Sequence, residues 1–161
     1  MVELLEAKAS AEEKVGIFSV VWQKAASLPL SIRQALHLRG DESYLGLHVD
    51  DKVVGERPLD FLRSFRSGFR KVASFMAGRK LEPAYVIGIT YEKLAHAASF
   101  YGFGFFEVDP AELDARELAR IEQGYMKTQN YLKGEPMGSV LVCFAPFDRF
   151  MDRHLKLATS H

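Results

Sequence analysis

The chain has 161 residues, enough for one domain with its own core, and 48% of them are hydrophobic against 26% charged, the balance of a folded globular protein. Its formal net charge is zero, which disfavours wholesale binding to nucleic acid or anionic lipid. No apolar run reaches the roughly 18 to 20 residues needed to cross a bilayer, and Met1 to Ser10 is charged where a signal peptide is apolar, so a cytoplasmic protein independent of membranes is expected.

Ser10 and Glu13 have the spacing of a capping box, and Val15, Phe18, Val21, Trp22 and Ala25 follow at helical spacing, which predicts a first helix to Ser27. Leu28-Pro29 ends it, and a shorter helix is expected within Ile32 to Arg39. Tyr44, Leu45, Leu47 and Val49 precede Asp50-Asp51 and are followed by Val53-Val54, the pattern of a hairpin with an aspartate turn. From Pro58, the apolar positions Phe61, Leu62, Phe65, Phe69, Val72, Ala73 and Met76 form one face of a helix that ends at Gly78.

Ala84 to Thr90 is a continuous apolar run of strand length, as a central strand covered on both faces requires. Thr90 can cap the next helix, which carries Leu94, Ala95 and Ala98 and stops near Gly102, and Phe103 to Val108 reads as a strand. Asp109, Pro110 and Glu112 have the N-cap, first-turn and capping-box chemistry of another helix, with Leu118, Ile121 and Tyr125 on its apolar stripe. Lys133 to Pro136 is a loop, Met137 to Ala145 the last strand, and the tail after Pro146 a short helix with a frayed end. The elements predict a single domain over residues 1–161, of α/β or α+β class, with a mixed central sheet flanked by helices.

Cys143 is the single cysteine and lies in the apolar run Ser139 to Ala145, the setting of a buried strand thiol. The histidines at 37, 48, 96, 154 and 161 have no metal-ligand spacing, and no Ser-His-acid or Cys-His pattern stands out, so no metal site is expected. Arg63, Arg66 and Arg70 fall at i, i+3 and i+7 of the helix from Pro58. That row suits phosphate oxygens, although a solvated basic face has the same pattern.

Ala84-Tyr-Val-Ile-Gly-Ile-Thr90, followed by Lys93 to Phe103 with its closing Gly102-Phe103, resembles the fifth strand, the following helix and the Gly-Phe of the GNAT acyltransferase superfamily. The order of elements from Tyr44 to Phe106 is similar to that family as well. The resemblance implies a GNAT-like fold, coenzyme A or acyl-CoA as co-substrate, and transfer of an acyl group to a small-molecule or protein amine. The family's pyrophosphate loop, Gln/Arg-x-x-Gly-x-Gly/Ala, has its nearest match in Arg63-Ser-Phe-Arg66-Ser67-Gly68, with Arg66 where the middle glycine belongs. The resemblance thus implies coenzyme A contacts at Arg63, Arg66, Ser67 and Gly68. Acid-base catalysis at such a site requires titratable groups, and Glu92, His96 and Tyr101 are the candidates, Glu92 and His96 sharing a helix face. A competing reading is a non-catalytic protein-interaction module or homo-oligomer, suggested by Phe100, Tyr101, Phe103, Phe105 and Phe106.

Overall fold

The computed structural model describes residues 12–49, 58–128 and 136–159. Its first described segment corrects the expected helix: β1 (Glu13–Val15) and β2 (Phe18–Lys24) form an antiparallel hairpin that turns at Gly16, whose φ is +62°. The physical reason is the position of β2 inside the sheet. Phe18, Val20 and Val21 are all buried, and apolar residues on both faces of an inner strand imitate a helical stripe. Ser10 lies outside the described residues, and Glu13 is part of β1.

A 3-10 turn (Ala25–Ser27) and α1 (Leu30–Ala35) lead to β3 (Ser43–Val49), which pairs antiparallel with β2 over its whole length. The expected partner strand at Val53-Val54 lies outside the described residues. The helix α2 (Pro58–Arg79) is continuous, as its apolar spacing predicts, and β4 (Tyr85–Tyr91) follows parallel to β3. The next helix, α3 (Glu92–Ser99), has Tyr91 rather than Thr90 at its N-cap. β5 (Gly104–Glu107) comes next.

The helix expected from Asp109 is interrupted. Asp109 caps only a 3-10 turn (Pro110–Glu112), and Leu113 is extended. Asp114 then caps α4 (Ala115–Thr128), its carboxylate accepting from the Glu117 amide at 2.7 Å. β6 (Val140–Pro146) and α5 (Phe147–Thr159) complete the described chain.

Among the described residues the strands form one six-stranded mixed sheet in the order β1-β2-β3-β4-β6-β5, flanked by helices. On one face Phe65, Phe69, Val72 and Met76 of α2, Ala95 and Ala98 of α3 and Phe150 of α5 pack on Phe18, Leu45, Val86 and Cys143. On the other, Ile32 of α1, Leu36 at the C-cap of that helix and Ile121 of α4 cover Tyr44, Ile87 and Val142. The core therefore has two layers, one on each side of the sheet. No helix among the described residues is long and apolar enough to cross a membrane.

Candidate functional site

The site originates where two parallel strands stop pairing. The β3–β4 ladder covers only Tyr44–Tyr85, Leu45–Val86 and Gly46–Ile87. Beyond it, β3 continues to Val49 paired with β2, and β4 continues to Tyr91 paired with β6. Each strand thus keeps its outer neighbour while the inner edges part at their carboxyl ends. Carboxyl ends of parallel strands are where ligands enter open α/β sheets.

A cavity of about 80 Å³ occupies this split. Phe18, Phe65, Phe69 and Phe103 from the α2 layer line it together with Tyr91 and Ile121 from the α4 layer, so it reaches through the sheet. Gly88 sits at its neck, where a Cβ would stand 3.3 Å from the Leu47 carbonyl oxygen. On the α4 face lies a larger polar cleft of about 710 Å³, bounded by Gln23 and Ser27, by Tyr44 and His48 of β3, and by Glu112, Glu117 and Arg120. Leu47, His48, Ile89 and Arg120 line both spaces.

Strand alternation places Tyr44 and His48 on the α4 face, while Leu45 and Leu47 point into the α2 layer. On α4, Glu117, Arg120, Ile121 and Gly124 recur at i, i+3, i+4 and i+7, so one helix face looks onto the strands. His48 Nε2 stands 3.8 Å from Glu117 Oε2, with the two side chains 18% and 22% exposed. Burial, reinforced by the Arg120 guanidinium and partly offset by Glu12, pushes His48 down to about 4. Burial raises the Glu117 carboxyl, Arg120 opposes the rise, and Asp114 and Glu12 add to it. Arg120 itself donates to Glu12 at 2.6 Å. The Tyr44 hydroxyl donates to Gln23 Oε1 at 2.6 Å, and burial raises its pKa.

The residues singled out from sequence lie elsewhere. Glu92 and His96 are exposed on α3, and the His96 ring lies 5.1 Å from that of Phe105. Tyr101 is half-buried, its ring 5.6 Å from Phe69, and its carbonyl oxygen is 3.2 Å from His154 Nε2. The shared face of Glu92 and His96 is therefore formed, but Tyr101 belongs to the core beside α2. Arg63, Arg66, Ser67 and Gly68 are all inside the unbroken α2, so the amides of 66–68 are committed to the helix rather than to an anion loop. Arg66 and Ser67 are exposed, whereas Gly68 is buried against Phe18. Glu92, His96, Tyr101, Arg66, Ser67 and Gly68 line neither of the two spaces. Arg70 is half-buried with its Nε enclosed, so the arginine row is not a uniformly solvated face.

His48 and Glu117 escaped sequence reading because 68 intervening residues separate them, and only the packing of α4 on β3 joins them. The available signals were the alternation from Tyr44 to His48 and the helical spacing of Glu117, Arg120 and Gly124. Cys143 is buried in β6, as its apolar run predicts, and burial pushes its thiol up to about 12. Among the described residues no group of three or more His, Cys, Asp or Glu side chains could hold a metal ion. Compared with protein-family models, curated proteins and solved structures, the chain matches none.

Proposed function

We propose that this chain binds acyl-CoA through the split between β3 and β4 and acts as a GNAT-like acyltransferase on an amine acceptor. The observation that carries the reading is the early end of the parallel ladder at Gly46–Ile87, with a cavity reaching through the sheet beyond it. The pantetheine arm of coenzyme A is an extended chain with two amides, and facing strand edges without a mutual ladder offer it the same hydrogen bonds that another strand would take. The apolar wall of Phe18, Phe65, Phe69 and Phe103 suits the acyl end, and the polar cleft on the far side leaves room for an acceptor. In a β3-α2-β4 crossover the helix N-terminus lies at the strand carboxyl ends, where its dipole favours the phosphates of the coenzyme.

The test is the melting temperature of the full chain with coenzyme A, acetyl-CoA and a longer acyl-CoA. A ligand at about 100 times its Kd adds roughly 2.7 kcal/mol of stability. An upward shift supports the reading, and no shift with any of the three rejects it.

A second reading, a protein-interaction or self-associating module, is favoured by one observation. Phe100 is 77% exposed and Phe105 43% exposed, beside the sheet's edge strand β5. A monomeric mass by light scattering at high concentration would count against self-association.

A further inference from the structure

The sheet's two edges are not alike. β1 is three residues long, and its Glu13 carboxylate accepts from the Arg79 guanidinium at 2.6 Å. β5 closes the other side with no strand beyond it among the described residues, and Gly104-Phe-Phe-Glu107 has none of the lysines or prolines that commonly keep an edge from pairing. The Val108 N–H donates to the Val140 carbonyl at 3.0 Å, in register with Phe106↔Val142 and Gly104↔Phe144. Antiparallel ladders alternate, so the N–H and C=O groups of the intervening Phe105 and Glu107 point away from β6, along the open edge. We propose that this edge pairs with the same edge of a second copy of the chain, β5 antiparallel to β5 about a two-fold axis at Phe106, so that the sheet runs on through both copies. This inference rests on the self-association reading above and is independent of the acyl-CoA one.

Self-complementarity selects the second copy and the register. With the axis at Phe106, Phe105 faces Glu107 of the second copy and Glu107 faces its Phe105, each pair exchanging both backbone hydrogen bonds. Sliding the axis to Glu107 sets two carboxylates opposite each other and brings Asp109 against Phe105, and like charges directly opposite oppose pairing. Sliding it to Phe105 puts Glu107 opposite Phe103, which is buried and precedes the strand. The side chains fit the central register. Phe105 and His96 are both exposed, and their rings lie 5.1 Å apart beside the edge. Glu107 is exposed on the same face as Phe105, so the carboxylate of the second copy arrives next to Phe105 and His96, where an imidazole N–H can donate to it. Phe100, one turn beyond His96 at the C-cap of α3, presents its 77% exposed side chain on the same side of that helix. On the opposite face of the sheet Phe106, its ring 5.7 Å from that of Phe144, meets Phe106 of the second copy across the axis. One symmetry operation thus covers exposed rings, pairs the open backbone groups and sets a carboxylate beside an imidazole.

The experiment is analytical ultracentrifugation of the full chain from about 1 to about 500 µM, with amide hydrogen exchange followed at both ends of that range. The wild type is expected to dimerise. Its Phe105 and Glu107 amides should be protected at the high concentration and exchange freely at the low one, while the Phe106 amide, bonded within the chain, stays protected at both. Phe105→Glu sets like charges opposite each other in both pairs and is expected to raise the dimer Kd about tenfold or more. Adding Glu107→Lys restores opposite charges in this register alone and should bring the Kd back to within about threefold of the wild type. A wild type that stays monomeric throughout rejects self-association and this inference together. A wild-type dimer that Phe105→Glu leaves intact, or that the double variant fails to restore, overturns the seam while self-association stands. If Phe105→Glu does not fold, the wild-type exchange pattern decides: a dimer whose Phe105 and Glu107 amides exchange freely overturns the seam, and protection that disappears on dilution supports it.

Discussion

A Cβ placed on Gly68 would lie 2.8 Å from Phe18 Cε2, so helix α2 approaches the β1–β2 hairpin as closely as its backbone allows. Ile17 Cγ1, at 3.0 Å, closes the other side of the same contact. Gly78, near the end of the same helix, has no atom within 4 Å of its Cβ position. The two glycines should therefore respond to alanine with opposite signs. Gly78→Ala is expected to stabilise by about 0.5 to 1 kcal/mol through helix propensity and reduced unfolded-state entropy. Gly68→Ala has the same propensity gain but must displace a buried ring, a cost of about 1 to 3 kcal/mol, and should destabilise on balance. Urea midpoints of both variants decide it, and equal shifts would contradict the close approach.

Gly88 offers a direct test of the split. Its Cβ position, 3.3 Å from the Leu47 carbonyl, lies in the neck between β3 and β4. Gly88→Val should fill that neck and abolish the acetyl-CoA-induced rise in melting temperature, while far-ultraviolet circular dichroism stays that of the wild type. A variant that folds and retains the full shift would place the ligand elsewhere.

Acid sensitivity follows from two histidines. His154 is 2% exposed, and burial pushes it down to about 4 against the raising effect of its bond to the Tyr101 carbonyl, with Arg153 and Arg70 lowering it further. His48 is likewise lowered to about 4. Between the unfolded pKa near 6.5 and these folded values, the unfolded state binds more protons. Stability should thus rise with pH across that window and be lost as pH falls from about 6.5 to 4. Glu117 acts in the opposite sense, since its raised carboxyl removes stability as pH rises above its unfolded value. Replacing His154 by Phe, which can pack against Phe69 and Phe150, should flatten the acid limb. Denaturant midpoints from pH 4 to 7 that fall equally in both proteins would contradict this role.

Cys143 should be chemically silent in the native protein. Burial in β6 raises its thiol to about 12, so almost no thiolate forms at pH 8. Ellman's reagent is expected to label no thiol in the native chain and the single cysteine after denaturation. Rapid native labelling would mean that the cavity beside it admits the reagent.

Local chemistry alone determined the long amphipathic α2, whose stripe from Phe65 to Met76 needs only 3.6-residue periodicity, and the apolar central strand β4. It also determined the buried setting of Cys143 and the mixed α/β class. It failed at Val15 to Ala25, because the apolar density of an inner strand and the stripe of a helix look alike until the neighbouring β1 and β3 are in place. It also missed the second cap at Asp114, since Asp109 offered an equally good local start. The candidate site was less legible still. Glu92 and His96 were visible as a helical pair because four-residue spacing is local, whereas His48, Glu117 and the split at Gly46–Ile87 come from different elements. Only the tertiary structure decided them, because the parting of β3 from β4 and the seating of α4 on the sheet depend on contacts between distant segments, which no local spacing encodes.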